Sequence, residues 1–128
     1  MQHPLDNPVW NALISGNAAL ASGNQRVKFF DSQVSPFAAV PDLSEPNLHE
    51  LENLYPYDRP VLLWSKEKLG IPDVWKVLDC IDGLQMVYDN ESPIETPGSE
   101  IVKLTAADIP EMMELTRLTR PGPLEREP

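Results

Sequence analysis

Apolar residues fall at helical spacing in three stretches and in short β-prone runs between them. Val9, Trp10, Leu13, Ile14 and Asn17 follow Asp6-Asn7-Pro8. Aspartate and asparagine cap helices, and proline fits the first helical position. This predicts a helix over residues 8–21, weakened at Gly16 and ended by Gly23-Asn24. Arg26-Val27-Lys28-Phe29-Phe30 alternates and predicts a strand. Residues 35–41 hold Pro36 and Pro41 and are expected to be extended, outside any central strand. Ser44 and Pro46 open a second helix with Leu48, Leu51, Leu54 and Tyr55 on its apolar face.

Val61-Leu62-Leu63-Trp64 reads as a short buried strand. Residues 74–80 and 84–88 are β-prone and flank Ile81-Asp82-Gly83, so a hairpin is expected there. The segment 91–100 is polar, broken by Pro93, Pro97 and Gly98, and expected to be an acidic linker after an N-terminal α+β region over 1–90. Ile101-Val102-Lys103-Leu104 predicts a strand. Two capping signals then overlap, Thr105 with Asp108 and Asp108 with Glu111. The helix they open carries Ile109, Met112, Met113 and Thr116 on one face, broadened by Leu115 and Leu118. It ends near Thr119. The expected fold class is α+β, with a short mixed or antiparallel sheet of four to five strands and about three helices.

Composition narrows this picture. Fourteen prolines in 128 residues exclude long uninterrupted helices and coiled coils. Ten basic against twenty acidic residues give a net charge of −10. Such a chain repels nucleic-acid phosphates and anionic membrane surfaces, so neither is an expected partner. The run 61–64 is far short of the ~20 apolar residues that span a bilayer. The opening MQHPLDNPVW has neither a basic nor an apolar signal region, and the single Cys80 forms no internal disulfide. A cytoplasmic location is the expectation.

Most chemical motifs fail on inspection. His49-Glu50-Leu51-Glu52-Asn53 lacks the second histidine of a zinc-protease helix, and no metal site is expected. Cys80 lies in an apolar run and reads as a buried structural thiol. The three tryptophans fall within predicted elements and read as core. No two of the glycines at 16, 23, 70, 83, 98 and 122 are spaced as in a phosphate-binding loop.

Four blocks carry a family pattern. They are His3-Pro4-Leu5-Asp6-Asn7-Pro8-Val9-Trp10 with Leu13; Val34-Ser35-Pro36-Phe37-Ala38; Gln85-Met86-Val87; and Ile101-Val102-Lys103-Leu104-Thr105 with Asp108-Ile109-Pro110, Met112, Leu115 and Leu118-Thr119-Arg120-Pro121-Gly122-Pro123. In this order they resemble the N-terminal portion of a bacterial GCN5-related N-acetyltransferase of the FR47-like type. The resemblance implies acetyl transfer from acetyl-CoA to an amine. It also implies that residues 101–128 form the first strand and helix of a truncated acetyltransferase core. Thr119, Arg120, Pro121, Gly122 and Pro123 would then enter the loop bordering the acceptor.

The chain departs from the family at the cofactor. The family binds the CoA pyrophosphate in a [QR]-x-x-G-x-[GA] loop. The residues three before the six glycines are Leu13, Leu20, Glu67, Cys80, Glu95 and Thr119, so this loop is absent. The expectation is an N-terminal segment with an unidentified amine acceptor, no catalytic residue and no acetyl-CoA binding of its own. The alternative is a non-enzymatic acidic protein-interaction module. On either reading, Met112, Leu115 and Leu118 are expected to be partly exposed and to mediate self-association or partner binding.

Overall fold

The structure is a computed structural model describing residues 3–96, 98 and 100–120. The described residues form an α+β fold with three α-helices and one four-stranded mixed sheet. Two compact units divide the chain, Met1–Gln85 and Met86–Pro128.

The first unit opens with a 3₁₀ turn at Pro4–Asp6 and helix α1 at Pro8–Leu13. Strands β1 (Ala21–Gly23), β2 (Lys28–Phe30) and β3 (Phe37–Ala39) are antiparallel neighbours, with Ala21 opposite Phe30 and Phe29 opposite Ala38. Helix α2 (Glu45–Leu54) then crosses over, and β4 (Leu62–Leu63) returns parallel to β3, with Phe37 opposite Leu62. A helical crossover is the usual way to join parallel neighbours.

The core sits between this sheet and α2. Val27, Phe29, Ala38, Val40, Leu48 and Leu51 are buried together, and Tyr55, Tyr57, Val61, Leu63 and Trp75 pack around them. Phe29, Tyr55 and Tyr57 meet edge to face at centroid distances of 5.3–6.1 Å, the geometry ring quadrupoles favour. Trp75 Nε1 donates to the Leu48 carbonyl at 2.8 Å, tying the end of this packed region to α2. The buried Asn47 is satisfied: its amide donates to Asp42, and its oxygen accepts from Arg26 Nε at 3.2 Å.

Several expectations need correction. The first helix stops at Leu13 rather than running to residue 21. Ser15, Gly16 and Asn17 are poor helix formers in succession, and the Asn17 amide reaches back to the Ala12 carbonyl at 2.8 Å. Gly23-Asn24 is therefore not a helix end. It starts the loop between β1 and β2, where Asn24 Oδ1 accepts from the Arg26 and Val27 amides.

Residues 37–39 are a central strand, paired on both sides. Pro36 and Pro41 bracket the strand without interrupting its ladder, and the Pro36 carbonyl accepts from Leu62 N at 2.9 Å.

The hairpin at Asp82-Gly83 does not form, and residues 101–104 are not a strand. An isolated two-stranded hairpin is marginal without a surface to cover it. Every described residue from 76 to 107 is exposed, Leu84 to 95% and Met86 to 87%. Cys80 lies in this segment and is exposed, so it is not a buried structural thiol.

The second unit contains a 3₁₀ turn at Ala106–Asp108 and helix α3 at Ile109–Thr119. Of the two overlapping capping signals, the first is made. Thr105 Oγ1 accepts from the Ala107 amide at 3.3 Å, and Asp108 Oδ2 accepts from the Thr105 amide at 2.8 Å. Among the described residues, no helix is long and apolar enough to cross a membrane.

Candidate functional site

Two places deserve description as sites, the end of α3 and a groove in the first unit. At the end of α3, Thr119 Oγ1 donates to the Leu115 carbonyl at 2.8 Å. Arg120 follows in the left-handed region at φ 45°, its amide donating to the Thr116 carbonyl at 2.9 Å. This closes the helix and turns the backbone away from its axis. Pro121, Gly122 and Pro123 lie outside the described residues. One turn earlier, Arg117 grips Glu114 through two hydrogen bonds of 3.0 and 2.7 Å, which hold the Glu114 carboxyl below its ordinary range.

Helix α3 has no buried residue. Leu115 is 61% exposed and Leu118 66%, as the breadth of its apolar stripe led us to expect, while Met112 and Met113 are also exposed. Leucines and methionines at helical spacing normally meet a sheet or a second helix.

The groove, of about 540 Å³, is built from three stretches distant in sequence. His3, Asp6, Asp42, Trp64, Lys66 and Glu67 are among its walls. The first stretch is held by a capping box. His3 Nδ1 accepts from the Leu5 amide, and Asp6 Oδ2 accepts from the His3 amide, both at 3.1 Å. Asn7 Nδ2 then donates to the Val40 carbonyl at 2.8 Å, joining this stretch to the exit of β3.

Lys66 Nζ lies 3.3 Å from Asp6 Oδ1. The His3 amide hydrogen bond, and then Lys66, keep the Asp6 carboxyl below its usual range. The Asp42 carboxyl is likewise lowered, chiefly by hydrogen bonding to Ser44. Carboxyls with lowered pKa are poor general acids near neutral pH, because they hold no proton to give. Asp6 and Asp42 therefore place negative charge on the groove wall near neutral pH.

Trp64 adds an unusual feature to this wall. Its indole Nε1 is buried and has no hydrogen-bond partner among the described residues. Leaving such a donor unpaired costs about 1–3 kcal/mol. Of the three tryptophans read as core, Trp75 packs against it, whereas Trp64 is only partly buried and lines the groove.

No local motif announces the groove, since residues 3–11, 41–43 and 64–67 meet only through the β3–α2–β4 connection. Among the described residues, no cluster of histidine, cysteine or acidic side chains is arranged to hold a metal. His49 pairs with Glu45 at 3.5 Å on α2, as a helix-surface residue.

The helix N-termini suit a phosphate ligand poorly. Each of the three α-helices has proline in its first two positions, which removes an amide donor. Glu45 and Glu111 add negative charge to the first turns of α2 and α3.

Comparison with known proteins finds no matching family model, no similar curated protein and no similar solved structure.

Proposed function

We propose that this chain forms the acceptor side of an amine N-acetyltransferase of the GCN5-related kind, with the acetyl-CoA site supplied by polypeptide outside these 128 residues. The observation that carries this reading is the exposed apolar surface of the second unit. Residues 101–104 are β-prone yet unpaired, and α3 presents Ile109, Met113, Leu115 and Leu118 to solvent. All of these but Met113 belong to the fourth family-like block. A strand and a helix of this pattern gain their stability by packing into a larger sheet.

On this reading Thr119 and Arg120 lead into the acceptor loop with Pro121, Gly122 and Pro123. The acidic residues of 89–114, seven against the single Lys103, attract a cationic amine.

A second reading, an acidic protein-interaction module without catalysis, draws on the same exposed α3. Flexible methionines beside leucines suit an adaptable docking face.

The chain by itself is expected not to bind acetyl-CoA. Calorimetric titration should show no saturable heat in the micromolar range, because the pyrophosphate loop is absent and the net charge is −10. A micromolar dissociation constant would refute the proposed division of labour. The two readings separate on the coding sequence after codon 128, read in all frames. A Gly-rich [QR]-x-x-G-x-[GA] loop there, whose product added to this chain releases CoA thiol in an amine-dependent way, supports the enzyme. Absence of such a loop favours the interaction module.

A further inference from the structure

We propose that Asp82-Gly83 is a site of spontaneous backbone modification, where the aspartate closes onto the following amide and reopens as isoaspartate. This does not rest on the acetyltransferase reading.

The chemistry needs only these two residues and water. The Gly83 amide nitrogen attacks Cγ of the Asp82 carboxyl group. The N–Cγ bond forms and the Cγ–OH bond breaks, so the amide hydrogen and the carboxyl hydroxyl leave together as water. The product is a cyclic imide. Water then adds to either imide carbonyl. Breaking the new N–Cγ bond restores aspartate. Breaking the original peptide bond instead leaves the chain linked through Cγ, with the main-chain carboxyl free. Nothing is oxidised or reduced.

Local structure decides where this happens. The backbone must rotate at Asp82 until the next amide nitrogen meets Cγ, and a Cβ on the next residue obstructs that approach. Gly83 has no Cβ, and nothing lies within 4 Å of the place one would occupy. Both residues lie outside helix and strand, and among the described residues no hydrogen bond involves either. Their neighbours Ile81 and Leu84 are 85% and 95% exposed, so no packing opposes the rotation.

Other aspartates lack this combination. Asp31 precedes the small Ser32, but its Oδ1 accepts from the Gln33 amide at 2.8 Å and its carbonyl accepts from the Val34 and Ser35 amides. The Asp42 carboxylate accepts from the Ser44 amide and the Asn47 side chain, and Leu43 follows it. Asp79 and Asp89 share the exposed segment, but Cys80 and Asn90 after them carry a Cβ. Conversion at Asp82 lengthens the main chain by one carbon. A two-residue turn between the runs 74–80 and 84–88 then loses its geometry, so an aged chain is barred from pairing them when a covering surface arrives.

The test is incubation of the full chain at neutral pH in water enriched in heavy oxygen, return to ordinary water, then trypsin and mass spectrometry. Cleavage after Lys76 and Lys103 isolates residues 77–103, and electron-induced fragmentation distinguishes isoaspartate from aspartate at each position. Isoaspartate should accumulate at Asp82 ahead of every other aspartate, with one heavy oxygen gained per conversion. Methyl transfer to it from S-adenosylmethionine by an isoaspartyl methyltransferase gives a second readout. Gly83→Val should cut the rate severalfold, and Asp82→Glu should abolish the reaction, because the larger imide ring closes far more slowly. Both positions are exposed, and circular dichroism should show the fold unchanged. In urea, Asp82 should convert about as fast as in the folded chain, whereas Asp31 should speed up. Conversion at Asp82 no faster than at Asp31 in the folded chain, or much slower than in urea, would overturn the proposal.

Discussion

Leu51→Ala is expected to unfold the first unit or bring it to the edge of unfolding. Leu51 is fully buried on α2, within a core of six buried residues that takes in both the helix and the sheet. Truncating a buried leucine costs about 2–5 kcal/mol, from lost transfer energy and the cavity left behind. A unit of this size has only about 5–10 kcal/mol to lose. Urea unfolding followed by tryptophan fluorescence should show the midpoint falling by a large fraction, because Trp75 reports on α2 through its bond to Leu48. Leu118→Ala in the same assay should change stability by no more than about 0.5 kcal/mol, as an exposed side chain has few contacts to lose. Equal effects of the two substitutions would contradict the placement of the core.

Gly23→Ala should disrupt the β1–β2 hairpin. Gly23 has φ +114°, a conformation that side chains rarely adopt, and an added Cβ would lie 2.2 Å from the Val27 carbonyl oxygen. That oxygen accepts the Asn24 amide hydrogen bond that closes the loop, so it has little room to withdraw. The backbone conformation alone costs about 1–3 kcal/mol for a residue with a side chain, and the contact adds to it. Gly16→Ala is the control. Nothing lies within 4 Å of its added Cβ, and alanine should be neutral or stabilising there by up to about 1 kcal/mol. The difference in urea midpoints between the two variants measures the effect.

The two glycines also show what local sequence conveys and where it misleads. Gly23-Asn24 has the composition of a helix end and of a hairpin loop alike. Only the pairing of Ala21 with Phe30 decides between them. Helix α2 was legible from its apolar spacing and the Thr105–Asp108 box from its capping residues, because both signals act within one or two turns. The central position of β3 was not, since it depends on a strand returning from 25 residues further on, Leu62 opposite Phe37 and Leu63 opposite Ala38. The runs 74–80 and 84–88 read as strands from their residue types, but pairing needs a covering surface that no local pattern encodes. The exposure of Leu115 and Leu118 was legible because a stripe that broad exceeds what one neighbour covers. The groove was hidden for the opposite reason, being assembled from separated stretches.

Amide hydrogen exchange on the full chain tests the central claim most directly. That claim is that a packed α+β unit is followed by apolar, strand-prone sequence with no partner of its own. The amides of β2, β3 and α2 should be protected through their ladder and helix bonds. Those of 84–88 and 101–104 should exchange at the rate of an unstructured peptide, with α3 only weakly protected. Alternating protection along 84–88 and 101–104, comparable to that of β2 and β3, would show that these runs already pair within the chain, and would contradict the account.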